Sequence, residues 1–105
     1  MNANFVAAGR DAVERMRVAK SHSAFAKALG QFMTALADAI EAPQLAPAAR
    51  LAEMYRLGGL AVDQIEAHIC SDRHAQRLAG TIYEINRRIE LVGRWVQHYT
   101  QERRA

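Results

Sequence analysis

The sequence predicts an all-α protein, a small antiparallel helical bundle of about four helices with a long C-terminal helix. Three observations carry that prediction. The last third of the chain repeats apolar residues at steps of four and three, Leu78, Ile82, Ile85, Ile89, Val92, Val96 and Tyr99, in phase for three heptads. Such spacing puts all seven side chains on one stripe of a helix. β-Branched Ile82, Ile89 and Val96 at the a positions call for helical partners rather than a sheet. Half of the residues are hydrophobic but only 7% aromatic, and 21 of them are alanine. Ala, Leu, Met, Arg, Gln and Glu favour helices, whereas the Val and Thr typical of strands are few. Finally, the only two prolines, Pro43 and Pro47, share one short segment and leave long stretches free of breakers.

The first helix is expected from about Ala3 to Lys20, with Phe5, Gly9, Ala12, Val13 and Met16 along one face. Continuing that stripe from Met16 reaches Lys20, Ser23 and Lys27, all polar, so the phase is lost. Ser21-His22-Ser23 therefore reads as a turn with a serine placed to cap the next helix. One bent helix over residues 3–42 is the alternative. The second helix, about Ala24 to Ala42, is expected to bury Phe25, Leu29, Phe32, Leu36 and Ile40.

Ala42-Pro43-Gln44-Leu45-Ala46-Pro47 is the clearest break, because proline cannot continue a helix and restricts the residue before it. Pro47 suits the first turn of a third helix running to about Cys70, with Leu51, Met54, Leu57, Ala61, Ile65 and Ile69 inward. Ser71-Asp72 makes the next turn, and either residue is a natural N-cap. The fourth helix, about Arg73 to Arg103, is then roughly 45 Å long against about 27 Å for each of the first two. A helix that outreaches its neighbours leaves stripe uncovered, and a second copy is the simplest cover, so a homo-oligomer is expected. Gly9, Gly30, Gly58, Gly59, Gly80 and Gly93 all fall inside helical patterns at a cost of ~1 kcal/mol each. Close backbone packing is the expected compensation, with Gly58-Gly59 a place for a kink or a break.

At 105 residues the chain is one domain, 1–105, that buries about 60–70% of its unfolded surface. Cys70 is the only cysteine, which excludes an intrachain disulfide and fits a reducing compartment. The start reaches Arg10 and Asp11 without a basic leader region. The uncharged run Ala28 to Ala37 is far short of the ~20 residues a membrane span needs. A soluble, cytoplasmic protein with no membrane partner is expected. Twelve arginines against two lysines, with the alanine excess, fit a GC-rich bacterial or phage gene.

Charge is segregated. Residues 1–37 hold five basic and two acidic groups, residues 38–72 two and six, and residues 73–105 seven and three. The acidic third helix either lies between basic neighbours and neutralises them, or leaves the first and last helices presenting a basic surface to an acidic partner.

Candidate chemistry is sparse. His68, Cys70 and His74 cluster at a turn beside Asp72, and all are zinc-ligating types, but the turn keeps Cys70 and His74 off a common face. A half-buried cysteine and two solvated histidines are the expectation. Glu53, Asp63 and Glu66 lack the Glu-x-x-His pairs of a helical di-metal site. Arg94 and His98 read as an exposed helical pair. There is no Ser/His/Asp or Cys/His grouping and no glycine-rich phosphate loop, so no cofactor and no enzyme activity is expected.

The most informative surface lies beside the C-terminal core stripe: Arg88, Leu91, Trp95 and His98 at three-four spacing, flanked by Arg87 and Arg94. Trp and Arg are the residues of interface hot spots. Leu91 and Trp95 either widen the core stripe or form a partner-binding site with the four polar residues. For nucleic acid, Arg73, Arg77, Arg87, Arg88, Arg94, Arg103 and Arg104 offer phosphate contacts, interleaved with Glu84 and Glu90. The expected function is a non-enzymatic protein-interaction module, an adaptor, inhibitor or assembly factor, that self-associates through its helices. The alternative is a basic helical bundle that binds DNA or RNA, as an accessory subunit.

Overall fold

A computed structural model of the chain describes residues 4–41, 48–69 and 72–104. These residues form four helices, α1 (Phe5–Val18), α2 (His22–Glu41), α3 (Ala48–His68) and α4 (Asp72–Arg104), and no strand. The loss of phase after Met16 marks a true break. Ala19 leaves the helix in extended geometry (φ −63°, ψ 130°). Ser21 Oγ then accepts the Ala24 N–H at 3.1 Å, satisfying one of the orphan donors at the start of α2. The chain thus makes two helices, not one bent helix. α3 closes with Ile69 N–H donating to the Glu66 carbonyl at 3.3 Å, a tightened last turn. The segment with Pro43 and Pro47, Cys70, and Ser71 of the expected Ser71-Asp72 turn lie outside the described residues; α4 itself starts at Asp72.

The buried faces follow the predicted periodicity in α1, α3 and α4. Phe5, Gly9, Ala12 and Met16 are buried on α1, with Val13 at the edge. Leu51, Met54, Leu57, Ala61 and Ile65 are buried on α3, and Ile69 is half-buried just past its end. On α4 the stripe sinks deepest at Ile85, Ile89 and Val92, while Leu78, Ile82 and Val96 pack against the core from its margin. The Tyr99 side chain lies outside those described.

α2 departs from expectation. Phe25, Phe32 and Leu36 are buried, but Ala28, Ala35 and Ala39 take the other deep positions and leave Leu29 and Ile40 only partly covered. Small side chains at steps of seven and four let neighbouring helices approach closely, and the larger apolar groups then fill the flanks.

Close packing also accounts for three of the six helical glycines. A Cβ on Gly9 would stand 3.2 Å from Met54 Sδ, one on Gly93 3.1 Å from the Tyr55 ring, and one on Gly58 would overlap the Ile89 side chain. Gly30, Gly59 and Gly80 face open space, so they have no such compensation. α3 runs unbroken through Gly58-Gly59.

α1 packs on α2 and α3, and α4 lies mainly along α3 and touches α2 less extensively. The 33 residues of α4 span about 50 Å at 1.5 Å each, which sets the long axis of a 49 × 22 × 18 Å body. The radius of gyration, 14.2 Å, accordingly exceeds the roughly 13 Å of a rounder domain this size. From Leu78 to Val96 the stripe is covered by the chain's own helices, so the length of α4 alone does not demand a second copy over that span. No helix among the described residues is long and apolar enough to cross a membrane.

Candidate interaction site

α4 carries a second stripe on the flank turned from the core: Glu84, Arg88, Leu91, Trp95 and His98, again at steps of four and three. Leu91 follows core residue Ile89 by two positions and precedes core residue Val92 by one, rotations of about 200° and 100°, so it lies off the core stripe on the side that borders α2. Leu91 retains 38% and Trp95 37% of its surface. Neither belongs to the core or to the residues packed against it, so they do not widen the core stripe of this chain. The Trp95 indole meets the His98 ring edge-on, centroids 5.8 Å apart and planes at 79°.

Three shallow hollows open to solvent meet at this stripe. One, of ≈ 330 Å³, lies between α2 (Ala37, Ile40, Glu41) and α4 (Glu84, Arg87, Arg88, Leu91). A second, of ≈ 290 Å³, is lined by Leu91, Arg94, Trp95 and His98. A third, of ≈ 520 Å³, runs along Tyr83, Asn86, Arg87, Glu90, Leu91 and Arg94. Leu91 lines all three. The six positions singled out from spacing, Arg87, Arg88, Leu91, Arg94, Trp95 and His98, thus border one continuous surface.

Sequence reasoning missed two parts of it. Tyr83, 67% exposed, stands one turn before Arg87 on the same helix and was findable from spacing. The α2 wall of Ala37, Ile40 and Glu41 carries no sequence signal, because it depends on how α2 lies against α4.

The charges of this surface are unevenly matched. Glu84 reaches Arg88 at 3.6 Å, in the favourable order with the acid one turn before the base. No carboxylate among the described residues pairs with Arg87 or Arg94. Elsewhere the expected neutralisation by α3 occurs at one point. Glu53 accepts from Arg56 Nε at 3.0 Å and from Arg10 Nε of α1 at 3.3 Å. Arg56, with Arg10 adding to it, holds the Glu53 carboxyl down to about 2.

The other candidates assemble no chemistry. Asp63 and Glu66 are exposed on α3. His68 is not solvated as expected: its ring stacks on Phe25 at 4.0 Å with planes 5° apart, and His22 approaches edge-on at 5.1 Å. The aromatic residue that anchors His68 is 43 positions away, so spacing around Cys70 gave no hint of it. Cys70 and the His74 side chain lie outside the described residues, and no group of three or more His, Cys, Asp or Glu among the described residues is arranged to hold a metal. Compared with protein-family models, curated proteins and solved structures, the chain matches none.

Proposed function

We propose that this protein is a non-catalytic interaction module, an adaptor, inhibitor or assembly factor, that docks another protein on the outer face of α4. One observation carries the reading: Leu91 lines three adjoining hollows, with Trp95 exposed one turn on and arginines around them. An apolar centre with an indole and a guanidinium rim is the composition of an energetic hot spot.

The unmatched Arg87 and Arg94 and the net charge of +3 favour a second reading, binding of DNA or RNA. The two readings separate in salt. Phosphate binding falls by roughly one power of salt concentration per contact, whereas an apolar hot spot is nearly insensitive. Trp95 is the sole tryptophan, so its emission reports this face directly. The docking reading expects no change on adding duplex or single-stranded nucleic acid at low salt. A steep, salt-reversible response would overturn it in favour of nucleic acid. Self-association through the same face is read by sedimentation equilibrium, as a mass above the 11.7 kDa chain.

A further inference from the structure

We infer that, in the free protein, the outer face of α4 is held by a second copy of this chain, the two α4 helices lying antiparallel about a two-fold axis beside Leu91. This rests on the docking reading above and names the occupant that any other partner displaces. The charges of the face suit a copy better than a partner of one sign. Its hollows are lined by three carboxylates, Glu41, Glu84 and Glu90, and by three guanidiniums, Arg87, Arg88 and Arg94. A surface balanced in this way draws neither an acidic nor a basic partner, whereas a copy turned end for end carries the same charges in reverse order. Glu84 and Arg88 pair with each other; the other four make no ion pair with a described residue.

The helical register matches these groups to one another. A two-fold antiparallel contact sets each flank of α4 against the same flank of the copy. With the axis level with the Leu91–Val92 peptide, the matching residues stand level to within about 1.5 Å. On the flank that borders α2, Glu84 meets the second copy's His98, Arg88 lies against its Trp95, and Leu91 meets Leu91. On the other flank Glu90 meets the second copy's Arg94, and Arg87 falls beside its Gln97. Acid meets base, a guanidinium meets an indole, and the exposed leucines cover each other. The contact runs from Glu84 to His98, about 21 Å or four turns. It covers on the order of 1,000 Å² over both copies, the low end for a specific interface, so the pair exchanges readily and leaves the face open to competition.

Sedimentation equilibrium of the full chain, from low to several hundred micromolar, should show a monomer–dimer equilibrium. Leu91→Asp should leave a monomer with unchanged helicity by circular dichroism, since the position is exposed. Glu90→Arg and Arg94→Glu should each weaken association at least about tenfold, because each sets like charges opposite one another twice per dimer. An equimolar mixture of these two variants should recover the dimer, one chain of each, since every contact between positions 90 and 94 then joins opposite charges again. A chain that stays monomeric throughout overturns the inference and leaves the face free, so the docking reading stands. A dimer that survives Leu91→Asp overturns it as well, by putting the contact elsewhere. Association lost in the single variants and not recovered on mixing overturns the antiparallel register. The docking reading fails separately, on a salt-reversible response of Trp95 emission to nucleic acid.

Discussion

The arginines of α1 and of α4 are put to different uses. On α1, Arg10 reaches across to Glu53 of α3 at 3.3 Å, Arg15 pairs with Asp11 at 3.0 Å, and Arg17 pairs with Glu14. On α4, Arg88 has Glu84 at 3.6 Å, while Arg87 and Arg94 have no carboxylate among the described residues. The α1 cations are engaged by their own helix and by the α1–α3 contact. Those of α4 stand beside exposed Leu91 and Trp95, in hollows that Glu41, Glu84 and Glu90 also line. A basic surface shared by the first and last helices was one expectation from charge segregation. On α1 the pairing of Arg10, Arg15 and Arg17 with carboxylates works against that expectation.

The largest effect expected from any single change lies under this face, not on it. Ile85→Ala and Ile89→Ala should each cost roughly 2–5 kcal/mol in urea unfolding, because both side chains are buried and leave cavities. If either is silent while Arg87→Ala unfolds the protein, the two faces of α4 have been exchanged and the contrast with α1 fails.

Trp95→Ala should weaken partner binding by more than about 2 kcal/mol while leaving the fold intact, since the indole sits outside the core. Adjacent glycines sharpen the core side. Gly58→Ala should destabilise by about 1–3 kcal/mol, because its methyl overlaps stiff, β-branched Ile89. Gly59→Ala, facing open space, should stabilise by up to ~1 kcal/mol. Thermal unfolding of the two variants checks the opposite signs.

Glu53 makes the α1 side of the comparison pH-dependent. Its folded value, about 2, lies below the ordinary 4.5, so its contribution to stability is complete above about 4.5 and is lost as pH falls through about 2. Glu53→Gln should flatten the stability profile between those values and leave it unchanged near neutrality. A variant profile parallel to that of the unaltered protein would remove Glu53 as the linked group.

The smallest effects test the contrast most directly. Arg15→Ala and Arg87→Ala should both change stability by less than about 0.5 kcal/mol, since exposed ion pairs contribute little. Only Arg87→Ala should alter partner binding. Equal effects of the two on binding would mean that the position of an arginine on this bundle does not matter.

The sequence alone determined whatever local geometry controls. A 3.6-residue turn converts the four-three spacing into the buried line of Ile85, Ile89 and Val92, and it equally places Arg88, Leu91, Trp95 and His98 on one outer flank. The hydroxyl of Ser21, three residues before the Ala24 amide, ends the phase of α1 and starts α2. Tertiary structure decided everything that depends on which distant surface arrives opposite. It chose Ala28, Ala35 and Ala39 over Leu29 and Ile40 for the deep positions of α2, because helix approach rewards small volume where a hydropathy ranking rewards large. It brought Ile40 and Glu41 to the edge of the α4 face, Phe25 onto His68, and Glu53 to Arg10. These partners are separated by 40 or more residues, and no helical period extends from one helix into the next. Whether Leu91 and Trp95 were core or surface was settled in the same way, since a helix specifies the direction of a side chain but only its neighbours specify whether that direction is filled.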